Sequence, residues 1–180
     1  MAKTEMVCAW FGGQGVLTAG MIFINAGMKQ DKNVIFYPSY GSEMRGGTAN
    51  CTVKVSDELI SSPVSKEPDV VLTMNTPAID KFEKKLKPGG LLLVNSSITP
   101  DDRVYRDDIK VIKVAATDIA KQENNPKGAN LVMLGALAAN TDIYSVEYLE
   151  NSIVSFFEEK GKGKFNALNV ACYRRGVAGK

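Results

Sequence analysis

The apolar and polar positions of the chain alternate between short β-branched runs and helical patterns. An apolar run at Met6–Trp10 is closed by glycines, and from Val16 to Gln30 apolar residues recur at the spacing of a helix with one buried face. Val34–Tyr37 is the next apolar run and predicts a second strand. Strands that alternate with helices in this way are typical of an α/β layered domain.

Residues 48–55 form the clearest strand pattern in the sequence. Ala49, Cys51 and Val53 would lie on one side, and Thr52 and Lys54 on the other. This alternation is typical of a strand with one side facing solvent. The connection that precedes it, residues 38–47, is shorter than the dozen or so residues that a parallel crossover needs. We therefore expect at least one antiparallel pair in a mixed sheet.

The rest of the chain completes an α/β pattern. No internal repeat and no linker rich in glycine, serine or proline divides it, so residues 1–180 are expected to form a single domain. The predicted fold is a three-layer sandwich with a mixed, mostly parallel central sheet. The further predicted elements are strands at 69–74, 91–94 and 110–114 and helices at 76–86, 128–139, 145–160 and 165–178.

Charge and hydropathy indicate in which environment the protein works and which partners it lacks. The 180 residues carry 22 basic and 20 acidic side chains, a net charge of +2, which is too weak a field to indicate nucleic acid or an anionic membrane as a partner. The longest apolar stretch, Leu131–Ala139, is about half of the ~20 residues that span a bilayer. The N-terminus lacks the apolar core of a signal peptide. We expect a soluble cytoplasmic protein.

The sequence has no histidine and only three cysteines. Without histidine there is no Ser-His-Asp or Cys-His nucleophile and no imidazole metal ligand. Cys8, Cys51 and Cys172 are far apart in sequence, and no C-x-x-C motif offers ligands for zinc or an iron–sulfur cluster. We expect neither a metal site nor a catalytic residue that acts alone in this chain.

A glycine-rich turn between the first strand and the first helix is the first candidate site. It comprises Gly12, Gly13, Gln14 and Gly15. Backbone N–H groups at a helix N-terminus attract anions, and glycine lets a phosphate approach the backbone. The acidic residue of a dinucleotide site is absent where the second strand ends at Tyr37–Pro38, and the P-loop lysine is absent at Val16–Leu17. The turn either binds a phosphate or packs the helix tightly on the sheet.

A glycine-bounded loop after the second strand is the second candidate site. Arg45 could bind a carboxylate or phosphate through two parallel hydrogen bonds, and Glu43 could orient it. The alternative is an internal Glu43–Arg45 pair that holds the loop. Both this loop and the glycine turn follow the carboxyl ends of strands, where α/β sheets form their crevices. The loop comprises Ser42, Glu43, Met44, Arg45, Gly46 and Gly47.

Two further segments have one polar and one structural interpretation each. In residues 130–139, Asn130 is the candidate polar contact, whereas small residues such as Gly135 and Ala136 favour close helix packing. The basic loop at 160–164 could bind a phosphate or could be a solvated helix end.

Three of these segments together resemble the gamma subunit family of 2-oxoacid:ferredoxin oxidoreductases. They are residues 11–20, 39–49 and 130–135, which occur in the family's order, and the resemblance covers nearly all of the chain. The Gly-Ser-Glu-Met-Arg-Gly-Gly loop is the most specific of the three. One departure is Trp10, which stands where the family usually has a glycine.

The resemblance implies the activity of a complex. The holoenzyme decarboxylates a 2-oxoacid such as pyruvate or 2-oxoglutarate, forms an acyl-CoA and passes electrons to ferredoxin. Thiamine diphosphate and the iron–sulfur clusters belong to the alpha, beta and delta subunits, so this chain alone is expected to bind no cofactor. Coenzyme A is a co-substrate of the complex, and the Gly12–Gly15 turn is the candidate contact for it. Residues 42–47 and Asn130 would face the partner subunits or the active site.

Two alternatives stay open at this point. The chain could be the small subunit of an indolepyruvate:ferredoxin oxidoreductase, which acts on aryl 2-oxoacids. It could also be a free-standing nucleotide- or phosphate-binding module without a redox role.

Overall fold

A six-stranded sheet forms the centre of the computed structural model, which describes residues 3–11, 15–39 and 48–179. The strands are β1 (Thr4–Phe11), β2 (Asn33–Ser39), β3 (Thr48–Ser56), β4 (Val70–Thr73), β5 (Leu91–Asn95) and β6 (Lys110–Val114). The helices are α1 (Val16–Met28), α2 (Thr76–Phe82), α3 (Ala116–Gln122), α4 (Ala129–Asn140), α5 (Val146–Glu159) and α6 (Asn166–Ala178).

The sheet is mixed, in the order β2-β3-β1-β4-β5-β6. β1, β4, β5 and β6 are parallel to one another, whereas β3 runs antiparallel to both of its neighbours, β1 and β2. The antiparallel pairing expected from the short connection before β3 is therefore confirmed, and parallel pairs predominate.

Helices cover both faces of the sheet. Alternate residues of β1 point to opposite sides, so that Met6 and Cys8 contact the core beneath α1, α4 and α6. Val7 and Ala9 contact a second core that contains residues of α2 such as Ile79. The predicted three-layer α/β sandwich is confirmed.

The short helix α3 is missing from the sequence-based prediction, which has a single helix between β6 and α5. Its seven residues bury only Ala116, Ile119 and Ala120, and no side chain caps its N-terminus. A segment of this length contains about two turns, which is too few for a helical period to be recognised.

The polar side of β3 is buried, so the prediction that it faces solvent is wrong. Lys54 is only 2% exposed because the segment after β3 folds back over it. Its Nζ donates to the Val64 carbonyl oxygen at 2.8 Å and lies 3.1 Å from Oε1 of Glu5, the residue directly opposite on β1. Burial raises the pKa of Glu5. Hydrogen bonds from Lys3 and Ser65 and the positive charge of Lys54 lower it by more, so the net pKa of Glu5 is below its ordinary value. The carboxylate is thereby kept ionised beneath this cover.

The backbones of α4 and α6 are in direct contact at two glycines. A Cβ added at Gly135 would lie 2.0 Å from the Tyr173 carbonyl oxygen, and one added at Gly176 would lie 1.9 Å from the Val132 carbonyl oxygen. Real Cβ atoms do not approach an oxygen so closely, so each position requires glycine. The prediction that small residues in 130–139 allow close helix packing is confirmed at Gly135.

We expect Gly135→Ala and Gly176→Ala each to destabilise the chain by about 1–3 kcal/mol or more, because α4 and α6 must separate to admit the methyl group. Urea unfolding measures this change. Gly163→Ala is the matched control, since the nearest atom to its Cβ is a flexible side-chain carbon, Cγ of Glu158, at 3.2 Å. Equal stability of all three variants would contradict the packing described.

Candidate functional site

The first two motifs are attached to the sheet at the carboxyl end of β1 and the neighbouring amino end of β3. Phe11, which precedes the glycine turn, pairs with Thr48, which follows the loop, and Trp10 pairs with Ala49. The predicted site residues Gly12, Gly13 and Gln14, and all of Ser42, Glu43, Met44, Arg45, Gly46 and Gly47, lie outside the described residues. The residues that flank the two motifs are described, and they show that both motifs are attached to the same end of two adjacent strands, β1 and β3.

Gly15 and Asn130 are the two predicted site residues within the described chain, and they are in contact. The Asn130 Nδ2 donates a hydrogen bond to the Gly15 carbonyl oxygen at 2.8 Å, across 115 residues of sequence. Gly15 precedes α1 with φ of +71°, in the left-handed region that favours glycine. A Cβ there would also lie 3.2 Å from Asn130 Nδ2. The first and third motifs thus form one structural unit.

The other amide atom of Asn130 has no hydrogen-bond partner among the described residues. The side chain is 3% exposed, and the bond to Gly15 fixes which end of the amide is the donor. Oδ1 is consequently a buried acceptor without a donor. Buried polar atoms are paired in the great majority of cases, so an exception of this kind indicates a missing partner.

Two helices begin at this position without side-chain caps. α1 begins after Gly15 and α4 after Gly128, and neither has a capping side chain or an acidic residue in its first turn. The first-turn N–H groups of a helix carry the partial positive charge of the helix dipole. The surroundings of Gly15 and Asn130 therefore favour an anionic or hydrogen-bonding ligand.

A cavity of about 390 Å³ lies against this unit. Sequence reasoning singled out the basic loop at 160–164 but did not connect it with Asn130. The structure brings Lys162 of that loop and Lys127, which precedes α4, to the same cavity. The full lining comprises Gly15, Thr18, Asn125, Lys127, Asn130, Leu131, Phe157, Lys162, Phe165 and Asn169.

The cysteines contribute to packing and not to a reactive centre. Cys8 and Cys51 are far apart in sequence but directly opposite each other on β1 and β3, and both are fully buried free thiols. The hydrogen bond with Cys51, together with burial, raises the pKa of Cys8 well above its ordinary value. Such a thiol stays protonated and is a poor nucleophile.

Residues 3–11, 15–39 and 48–179 contain no metal-binding cluster and no membrane-spanning helix. That part of the chain has no cluster of three or more histidine, cysteine, aspartate or glutamate side chains placed to hold a metal ion. It also has no helix with the length and apolar character needed to cross a bilayer. Trp10 is 2% exposed and packs in the core beneath α1.

The chain belongs to the family described as pyruvate ferredoxin/flavodoxin oxidoreductase, whose pattern matches residues 5–179. This match, which includes both Gly15 and Asn130, confirms the family resemblance expected from the three motifs.

Similar proteins narrow the family relationship to its gamma-type members. The 2-oxoglutarate synthase subunit KorC of Methanocaldococcus jannaschii is 37% identical over 84% of this chain and 82% of its own length. The ketoisovalerate oxidoreductase subunit VorA of Methanothermobacter marburgensis is also 37% identical, over 76% of this chain, but the match spans only 28% of that longer protein.

A solved structure supports both the fold and the subunit type. The gamma subunit of a keto/oxoacid ferredoxin oxidoreductase from Geobacter sulfurreducens superposes with a TM-score of 0.82 and is 29% identical. The match covers 97% of this chain and 96% of that one. The chain is therefore similar to a gamma subunit over essentially its whole length.

We expect Asn130→Asp to destabilise the chain by about 1–3 kcal/mol at neutral pH, because a buried carboxylate cannot donate to the Gly15 carbonyl oxygen. Thermal unfolding at several pH values measures the effect. Part of the loss should be recovered in acid, where a protonated carboxyl can donate again. Asn151→Asp, the same change at an exposed position of α5, is the control. Equal losses in both variants would argue against the Gly15 contact.

Proposed function

We propose that this chain is the gamma subunit of a multi-subunit 2-oxoacid:ferredoxin oxidoreductase of the cytoplasm. The complex decarboxylates a 2-oxoacid, forms an acyl-CoA and CO2, and reduces ferredoxin. The observation that carries the proposal is the hydrogen bond from Asn130 to Gly15, since it joins two of the three family motifs beside the strand ends that flank the third. The family match over residues 5–179 supports it.

The proposal assigns the chemistry to the assembly. Thiamine diphosphate and the iron–sulfur clusters belong to alpha-, beta- and delta-type partners, and ferredoxin docks on the complex. The chain itself acts as one gamma-type catalytic domain, residues 1–180. Its sequence supports this division because it has no histidine for acid–base work and no C-x-x-C cluster motif.

Within the chain, the Gly12–Gly15 turn positions a phosphate-bearing part of coenzyme A. The uncapped N-terminus of α1 and the left-handed backbone of Gly15 support this role, since an anion is attracted there and glycine lets it approach. Residues 42–47 face the partner subunits near the coenzyme site, and the buried Asn130 faces the coenzyme site. This assignment is supported by the strands on either side of the loop. Ser39 ends β2 and Thr48 begins β3, which pairs with both β2 and β1.

The 2-oxoacid is selected in the assembled complex. The names of similar proteins include 2-oxoglutarate synthase and ketoisovalerate oxidoreductase, so both acids, together with pyruvate, are candidates. A panel of aliphatic and aryl 2-oxoacids, assayed on the complex, tests this choice. A preference for indolepyruvate would instead identify the chain as the small subunit of an indolepyruvate:ferredoxin oxidoreductase.

We expect the purified chain alone to show no turnover with a 2-oxoacid, coenzyme A and a viologen dye. The partners assembled without it should be inactive or impaired, and adding the chain should restore their activity. Viologen reduction measures all three samples. Turnover by the chain alone would refute the subunit assignment. Failure to assemble with or activate any partner would favour a free-standing binding module.

Arg45→Ala in the assembled complex should lower the rate about tenfold or more, or weaken assembly, because it removes the guanidinium assigned to bind a carboxylate or phosphate through two parallel hydrogen bonds. Steady-state kinetics and size-exclusion chromatography measure the two outcomes. Arg174→Ala is the matched control, since its exposed guanidinium pairs with Glu150 on the surface. A complex with unchanged rate and unchanged assembly would contradict the role given to Arg45.

A further inference from the structure

The strand β2 forms one edge of the sheet. It pairs with β3 on one side and has no neighbouring strand among the described residues on the other. An unpaired edge presents a row of backbone N–H and C=O groups that can pair with a further strand. The opposite edge, β6, carries the exposed Lys110 and Lys113, which oppose such pairing. The sheet can therefore be extended most readily at β2.

The register of the sheet shows which backbone groups of β2 point outward. In β1, the carbonyl oxygens of Glu5 and Ala9 accept from residues that flank β4, so the odd-numbered residues of β1 bond on that side. Because the direction alternates along a strand, the even-numbered residues of β1 bond with β3, and the odd-numbered residues of β2 bond with β3 as well. The backbone groups of Val34 and Phe36 consequently point out of the sheet. No described turn or loop carbonyl oxygen accepts from either N–H.

Pro38 limits the part of β2 that another strand can use. Proline has no N–H group, and at this outward-pointing position it costs no bond between β2 and β3. A further strand would find a donor missing at Pro38, as is common on protected edges. The part of the edge that stays complete is therefore centred between Val34 and Phe36.

We propose that β2 pairs with β2 of a second copy of this chain, in an antiparallel arrangement with Ile35 on the twofold axis. Val34 of each copy would then lie opposite Phe36 of the other, and each of these pairs would exchange two backbone hydrogen bonds. The two residues with outward N–H groups lie symmetrically about Ile35, so the strand is complementary to itself. Pro38 would lie opposite Lys32, beyond the bonded part.

The side chains that this register brings together are compatible. Val34 and Phe36 are half-buried beneath α1, and each would cover part of the other's exposed surface. On the other face, the half-buried Ile35 would lie opposite itself, and Tyr37, which is 47% exposed, would lie opposite Asn33. None of these pairs places like charges opposite each other, which would oppose strand pairing. This match of the strand with itself favours a second copy over an unrelated strand.

A cysteine on the twofold axis tests the pairing and its register. Opposed Ile35 residues would form a non-hydrogen-bonded pair with Cα atoms about 4.5 Å apart, which is within reach of a disulfide. The purified full-length Ile35→Cys chain, oxidised with diamide, should therefore give a covalent dimer on a non-reducing gel. The natural cysteines do not compete, since Cys8, Cys51 and Cys172 are buried.

Tyr37→Cys is the matched control for the cross-link. Residue 37 is more exposed than residue 35, but its two copies would lie about 14 Å apart along the paired strands. This variant should therefore stay monomeric on the gel. Equal cross-linking of the two variants, or no cross-linking of Ile35→Cys, would overturn the inference.

Pairs of charges test the same register without a covalent bond. Asn33→Lys/Tyr37→Lys would place lysine opposite lysine at both ends of the ladder, whereas Asn33→Lys/Tyr37→Glu would place lysine opposite glutamate. In sedimentation equilibrium, the second variant should dimerise about tenfold more tightly than the first. Circular dichroism verifies that both are folded. Equal dissociation constants, or a natural chain that is monomeric at every concentration, would contradict the proposed pairing.

Hydrogen exchange distinguishes a second copy from another occupant of the edge. The N–H groups of Val34 and Phe36 should exchange slowly in the dimer of the chain alone. Protection that develops only when partner subunits are added would mean that a partner's strand covers β2, and it would refute the self-pairing. The inference goes beyond the proposed function, since a monomeric chain that restores the activity of the complex would refute the inference alone.

Discussion

The close contact between α4 and α6 is the constraint on which the rest of the site depends. Gly135 and Gly176 let each helix lie against a carbonyl oxygen of the other, an approach that any Cβ would prevent. Because helices are stiff over a few turns, fixing their middle also fixes the level at which α4 begins. That level brings Asn130 to Gly15 and Asn169 to the same cavity. Two glycines in the core thus set the geometry at the edge of the sheet.

Asn130 then serves two purposes with one amide. Its Nδ2 donates to the carbonyl oxygen of Gly15 at the start of α1, and its Oδ1 has no donor among the described residues. A protein optimised for stability alone would pair or replace such an atom, since leaving it buried costs about 1–3 kcal/mol. Functional sites are where such exceptions are retained. Oδ1 of Asn130 and Nδ2 of Asn169 are two of the buried polar atoms that have no partner among the described residues, and both belong to residues that line one cavity.

Much of the fold follows from local sequence patterns, whereas the cavity does not. Strand runs such as Met6–Trp10 and the short connection before β3 were sufficient to predict the mixed sheet. Lys54 is polar by pattern but buried in the fold, because the segment after β3 folds back over it at Val64 and Glu5 of β1 lies opposite. The nearness of Cys8 to Cys51 likewise depends on strand register. Long-range contacts of this kind have no signature within a short window of residues.

Some residues of the candidate site could be predicted from local sequence and others could not, because the latter are brought together by long-range contacts. Gly15 could be recognised because a glycine turn between a strand and a helix has a local motif, and Asn130 because it is a polar residue at the start of an apolar helix pattern. Lys127 and Lys162 belong to loops that read as solvated helix ends, and only the convergence of α1, α4 and α6 gives them a common target. A gamma-type subunit without histidine has little chemistry of its own, but helix dipoles and amides require none to bind a ligand. The chain's contribution to its complex is therefore best sought in binding and positioning.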